Sequence, residues 1–329
     1  MRFHRMLLIA AMAVVFLSAC SNAQLQTGIL AAPAHSAKSR PNEIRPETVY
    51  WQDSLFVGNY FTNPPSVELF ADGTWVPNGS VTAGVTAPDG IWSDQKYLYV
   101  ANDAVGNNGA DVEEYRPNRT APIFTYANGL SGNISSVSTQ MLGNVHYVFI
   151  TGGSSGSAGF VKELKRDTNT VIATCYPAAA PSTATGVAVD ANGNVFVGYN
   201  PGGSGRIIEY VGGLSGCNGS VLPMLFGVVG DMVLDSAGRL VVCDPSVGVI
   251  DLVDPPYTSI AGTLGSGWFS PTFVSIRANN QRAYVADNGA GFHVVKVLQY
   301  PSGTLLHTFT SADGLAGPSG VVDWHNYGF

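Results

Sequence analysis

Hydrophobic and polar positions alternate along this chain in a short motif that recurs six times. Each copy is an apolar strand that ends in a small residue and then a polar turn. The copies are Leu55-Phe-Val-Gly-Asn-Tyr60, Leu98-Tyr-Val-Ala-Asn-Asp103, Val148-Phe-Ile-Thr-Gly-Gly153, Val195-Phe-Val-Gly-Tyr-Asn200, Leu240-Val-Val-Cys-Asp-Pro245 and Ala283-Tyr-Val-Ala-Asp-Asn288. Their starts lie 43, 50, 47, 45 and 43 residues apart, the period of a four-stranded unit repeated around an axis. The third position is always Val or Ile, which stacks on a pleated surface, and the fourth is small, which lets backbones approach.

A further strand follows each copy and carries an acid before an apolar residue in five cases: Glu68-Leu69, Glu114-Tyr115, Glu163-Leu164, Glu209-Tyr210 and Asp251-Leu252. Lys296-Val297 takes that place in the sixth. Alternation predicts that these acids face solvent. Another strand precedes each copy, clearest in Gly186-Val-Ala-Val-Asp190 and Gly90-Ile-Trp-Ser-Asp94. The Asn-Gly turn in Asp190-Ala-Asn-Gly-Asn194 predicts a hairpin between the two. Each unit therefore reads as strands a, b and c with a weakly marked strand d. Gly317-Pro-Ser-Gly-Val-Val-Asp323 resembles a strand a with no b after it, and Leu55 to Tyr60 a strand b with no a before it. Pairing these two ends closes the ring and removes exposed sheet edges. The prediction is an all-β, six-bladed β-propeller over residues 50–329, with four-stranded antiparallel blades and a monomeric chain.

Composition fits: 39 Gly and 19 Pro with 45% hydrophobic and 12% charged residues describe a turn-rich β protein. Residues 1–19 read as a signal peptide, with Arg2 and Arg5 ahead of an apolar run too short to span a bilayer comfortably. Leu17-Ser-Ala-Cys20 resembles the lipobox of bacterial lipoproteins, which implies cleavage before Cys20 and its acylation, palmitate included. An ordinary signal peptide is the plainer alternative. Ser21 in the next position implies sorting to the outer membrane of the cell envelope. Residues 20–49 then form a flexible tether rich in Ala, Pro and Ser. Without its leader the chain carries 14 basic and 23 acidic residues, net −9, which does not suit nucleic acid.

Three cysteines remain besides Cys20. Cys243 sits at the small position of its strand b and reads as buried. Cys175 and Cys217 fall after strand c in adjacent blades and form either a disulfide or two separate thiols. The b–c loops and the starts of strand a share one face of the ring, the expected ligand face. Asn59, Asp103, Asn200, Asp244 and Asp287 stand there with Asp89 and Asp231. Asp89, Asn200, Asp244 and Asp287 are the candidate oxygen ligands for Ca2+ or Mg2+. The same residue types also form turns by bonding their own backbone, and that reading weighs more. The histidines His146, His293, His307 and His325 show no zinc spacing. No nucleophile elbow or phosphate loop occurs.

The unit Thr185 to Asn200 followed by Gly205 to Tyr210 resembles the NHL-repeat propellers, a blade type that implies a binding scaffold and brings no catalytic set. More distantly the chain resembles the calcium-dependent lactonase propellers of the senescence marker protein and gluconolactonase kind. Asp89 stands where that family carries a carboxylate, and Asn200 or Asn59 could supply an Asn, while Thr185, Thr272 and Ser319 stand where its Glu would be. The reading is a lipid-anchored envelope propeller that binds a protein or a glycan, with Trp92, Trp268, Tyr199 and Tyr60 as aromatics for a glycan face. A metal-dependent lactonase is the alternative.

Overall fold

The computed structural model describes residues 51, 53–103, 109–153, 157–289, 291 and 293–325. The leader, Cys20 and the tether lie outside the described residues. Residues Pro46–Phe329 form one compact unit. It contains six four-stranded antiparallel sheets arranged as a propeller, and the inner strand of each touches the next around the axis.

Blade 1 joins the two ends of the unit. Its inner strand, Pro318–Trp324, pairs with Ser54–Asn59, followed outward by Ser66–Ala71 and Pro77–Val81. Closure therefore takes one strand from the C-terminal side, with Val322 opposite Phe56 and Asp323 opposite Leu55. The inner strands of blades 2 to 6 are Pro88–Ser93, Asn133–Leu142, Ser182–Val189, Met232–Leu234 and Pro271–Ile276.

The core is a set of six apolar layers between blades. The blade 6–1 layer brings Leu55, Val57 and Phe70 against Tyr284, Val297 and Phe309, and the other five repeat the arrangement. The third position of every b strand (Val57, Val100, Ile150, Val197, Val242 and Val285) is wholly buried. Strand b is covered on both faces, which is why its sequence reads as an unbroken apolar run.

That double coverage overturns the expectation of solvent-facing strand-c acids in three blades, while Glu68 and Glu209 are half-buried. Glu114 is completely buried, accepting from Tyr126 Oη at 2.6 Å and pairing with Arg166. Glu163 and Asp251 are buried as well. The neighbouring blade covers the side of strand c that alternation assigned to water: Arg166 pairs with Glu114, and the Leu214 backbone bonds Glu163.

The sulfurs of Cys175 and Cys217 are bonded, joining the end of the outer strand Thr170–Cys175 to the short 3-10 turn Ser215–Cys217 of the next blade. Cys243 is a buried free thiol.

Near the axis the backbones nearly touch. A methyl group on Gly90 would lie 2.7 Å from the Ser135 carbonyl oxygen, one on Gly186 2.9 Å from that of Gly230, and one on Gly320 2.6 Å from the Ile91 nitrogen. In these three blades the inner strand thus leans on the next through a position that admits no side chain. Gly186→Ala is expected to cost about 1–3 kcal/mol in urea unfolding. Gly262→Ala, whose methyl would meet nothing within 4 Å, should stay within ~0.5 kcal/mol.

Candidate functional site

The polar residues that end the b strands are engaged by the chain's own backbone. Asn59 accepts from Ala316 N at 2.6 Å and donates to Gly314 O at 2.9 Å. Asn102 accepts from Thr86 N at 3.1 Å and donates to Gly84 O at 2.9 Å. Asp244 takes the Gly227 and Val228 amides at 2.6 and 3.0 Å and the Ser246 hydroxyl at 2.8 Å. Asp287 takes Phe269 N and Ser270 N, and the Lys296 ammonium at 2.9 Å supplies its countercharge. In these four blades the side chain grips the connection that leads into the blade's own inner strand.

Asn200 does the same one blade further on, accepting from Val229 N at 2.8 Å and donating to Val229 O at 2.9 Å. Blade 3 ends its b strand in Gly152 and Gly153 and has no such side chain. Instead Asp103 of blade 2 reaches over to accept from Ile134 N at 2.8 Å. The recurring Asn and Asp are staples that fix where the inner strands of all blades but blade 4 begin.

Asp89 and Asp231 belong to opposite blades and face each other through the channel, with Asp103 nearby. Burial first, then the charges of Asp103 and Asp231, raise the pKa of Asp89 well above the usual carboxylate range. Burial pushes Asp231 up to about 7, against the Ser136 hydroxyl at 2.9 Å and the amides of Met232 and Val274. Burial likewise pushes Asp103 up to about 6. Of the proposed oxygen ligands, Asn200 and Asp244 grip one connection, at Val229 and at Gly227 and Val228, and Asp287 grips another, at Phe269 and Ser270, while Asp89 stands with Asp103 and Asp231. Among the described residues no group of three or more His, Cys, Asp or Glu is arranged to hold a metal ion. The hollow on this face, about 470 Å3, lies off-axis between blades 3 and 4 beside Thr185 and Asn200.

The opposite mouth, where the a–b turns emerge, is different. Strand register brings Trp92, Ser138, Ala188, Val233, Ser275 and Val322 to equivalent places on the six inner strands, each opposite the second residue of its b-strand motif. Five of the six are small or medium-sized, and the sixth is tryptophan. Trp92 packs against the blade 2–3 layer and also against the blade 5–6 layer, so its indole crosses the axis and closes the channel at this level. Its Nε1 donates to Thr139 Oγ1 at 3.0 Å.

Outside this stopper lies a basin of about 630 Å3 centred on the axis, with residues from five blades around it. One wall is the blade 3 hairpin, whose strands Asn133–Leu142 and Val145–Gly153 run to ten and nine residues, against three to eight for the other inner strands. The extension carries Gln140, Met141, Asn144 and His146 to the rim.

Asp94, Asp190 and Asp235, the closing residues of the a-strand motif, cap their own hairpins through pairs of backbone amides. Blade 6 has Arg277 at this place. Its buried guanidinium bridges Asp323 at 3.0 Å and Asp72 at 2.6 Å, tying blade 6 to blade 1. Across the basin Arg166 pairs with Glu114 and lies 3.5 Å from the centre of the Tyr97 ring.

No family model matches the chain, and no curated relative matches it. Among solved structures, a chain in the crystal structure of a nidogen/laminin complex superposes with a TM-score of 0.64 at 13% identity, over 82% of this chain and 97% of that one. A protein of unknown function from Bacteroides caccae superposes with a TM-score of 0.60 at 10% identity, over 82% and 98%. At these identities the likeness is one of fold.

Two outcomes follow from this geometry. Asp244→Ala leaves two half-buried backbone amides without their acceptor and is expected to cost about 1–2 kcal/mol in urea unfolding. The raised pKa of Asp231 means that folding favours its protonated form. The stability it contributes is complete below the ordinary carboxylate range and is lost as pH climbs through about 7. Asp231→Asn should therefore raise the unfolding midpoint at about pH 8 and lessen the drop between about pH 5 and pH 8, as read by thermal melts.

Proposed function

We propose that this chain is a binding module of the bacterial envelope, a propeller with NHL-like blades held at the outer membrane by lipid on Cys20. The observation that carries the binding reading is the axial basin. It is concave, has the volume of a small-molecule site, about 300–1,000 Å3, and mixes an aromatic floor with amide and hydroxyl groups on its walls. The lipobox, Ser21 and the tether sequence support the anchor, since acyl chains hold a protein to a bilayer without a spanning helix. The lactonase alternative has in its favour only Asp89 and the strand-end oxygens, and most of those are spent on backbone amides.

A thermal-shift screen of the full-length chain against saccharides, peptides, metabolites and divalent cations tests the binding reading. A ligand present at about a hundred times its dissociation constant adds ~2.7 kcal/mol to native stability. The expected hit is a non-metal ligand whose shift is lost when the basin wall is changed by Gln140→Ala with Asn144→Ala. A saturable response to Ca2+ that disappears in Asp89→Ala would instead establish the hydrolase reading. For the anchor, an alkynyl palmitate fed to expressing cells should label the wild-type chain and leave Cys20→Ser unlabelled; equal labelling of both would contradict it.

A further inference from the structure

The chemistry of the basin narrows what it can hold. Its arginines are already paired with carboxylates, and Asp94 and Asp235 already take neutral donors. Arg277 is committed to Asp323 and Asp72, and Arg166 to Glu114. Asp94 takes the Lys96 and Tyr97 amides and the Tyr99 hydroxyl, and Asp235 takes its own hairpin and Tyr300 Oη at 2.8 Å. Burial, with Arg166 nearby, holds the pKa of His146 below its usual value against the pull of Asp94, so the imidazole is neutral at pH 7. Lys96 stands exposed on the rim. An ionic ligand on the floor would have to compete with ion pairs that are already formed.

The groups left to a ligand are of two kinds. Trp92 has given its N–H to Thr139, so what it offers is the face of its ring. The Gln140 and Asn144 amides and the Ser275 hydroxyl hold no hydrogen bond to other described residues, and all three line the basin. A purely apolar ligand would cover those amides without giving them partners, which is unfavourable. A ligand with one flat apolar face and a rim of hydroxyls satisfies both.

We propose that the basin binds a neutral saccharide, with the C–H face of one pyranose ring on the Trp92 indole and ring hydroxyls bonded to Gln140, Asn144 and Ser275. This deepens the binding reading above and rests on it. The blade 3 extension then has a role, because it supplies two of the three polar contacts.

Titration calorimetry on the full-length chain, with intrinsic tryptophan fluorescence read in parallel, tests the assignment. The probes are cellobiose, maltose and N,N′-diacetylchitobiose, with digalacturonate as a charged sugar and N-phenyl-1-naphthylamine as a neutral apolar compound. The expected result is saturable binding of at least one neutral disaccharide with a fluorescence change. Trp92→Leu should weaken it about ten-fold, the value of one aromatic contact. The pair Gln140→Ala with Asn144→Ala lies on an exposed hairpin that tolerates substitution, and it should weaken binding by a similar factor. Thr183→Ala, exposed beside the hollow on the other mouth, should leave the affinity unchanged.

Binding of phenylnaphthylamine alone, sensitive to Trp92→Leu, would overturn the saccharide assignment while leaving a binding basin. Sugar binding weakened by Thr183→Ala and indifferent to the hairpin pair would place the site on the other face and overturn it too. Binding of none of the five probes would also overturn it. The broader screen above would then decide separately whether the propeller binds anything.

Discussion

Six sheets can stand around an axis only if their inner strands come close enough for backbone to meet backbone, and this constraint governs the residues near the centre. Gly90, Gly186 and Gly320 are the places where one inner strand leans on the next, with no room for a methyl group. The register of the inner strand against its b strand slips by one residue near the same level in five of the blades. The slip turns Asp89, Ser135, Thr185, Thr272 and Ser319 out of the regular alternation. Asp231 stands at a position that is glycine in three other blades, and its side chain reaches through the space that those glycines leave to the Ser136 hydroxyl.

The staples at the ends of the b strands answer the same demand. An inner strand that begins a residue early or late would press its side chains into its neighbour, so the preceding connection has to be held at a defined point. An Asn or Asp one strand away does this at little cost, since a carboxylate accepts from two backbone amides and a side-chain amide accepts from an N–H while donating to a carbonyl. The recurrence of acidic and amide residues on one face is therefore a mechanical feature of the ring. The three carboxyls that do collect there, Asp89, Asp103 and Asp231, carry raised pKa values because burial favours their neutral forms, with the charges of Asp103 and Asp231 adding to the effect on Asp89. The other mouth is free of this duty, because the a–b turns are short hairpins capped by their own Asp94, Asp190 and Asp235. There the chain can vary, and blade 3 has lengthened its hairpin.

The blade count, the four-strand unit and the ring closure were legible because strand b is buried on both faces and carries the same apolar run six times. Strand d was nearly invisible: Pro77–Val81 exposes alternate residues, and Gly262–Thr263 is two residues long. Neither has enough apolar length to mark a strand. The strand-c acids misled because a neighbouring blade, and not water, covers their side of the sheet. The basin was missed for a different reason. Its signals are departures from the repeat: a tryptophan where the other blades carry Ser, Ala or Val, an arginine where three blades carry Asp, and one overlong hairpin. Seeing them needs the strand register, which brings Trp92 and Ser275 to the same level although they lie far apart in the chain. Trp92 could be noted as an aromatic from the sequence; its place across the axis could not.

The most direct test of this account is a crystal structure of the protein soaked in turn with small organic probes such as phenol, isopropanol and glycerol. The account predicts that Trp92 closes the channel and that the probes gather against its outer face, beside Gln140 and Ser275. An open channel with Trp92 turned aside, or probes gathered beside Thr185 and Asn200 with the basin empty, would contradict it.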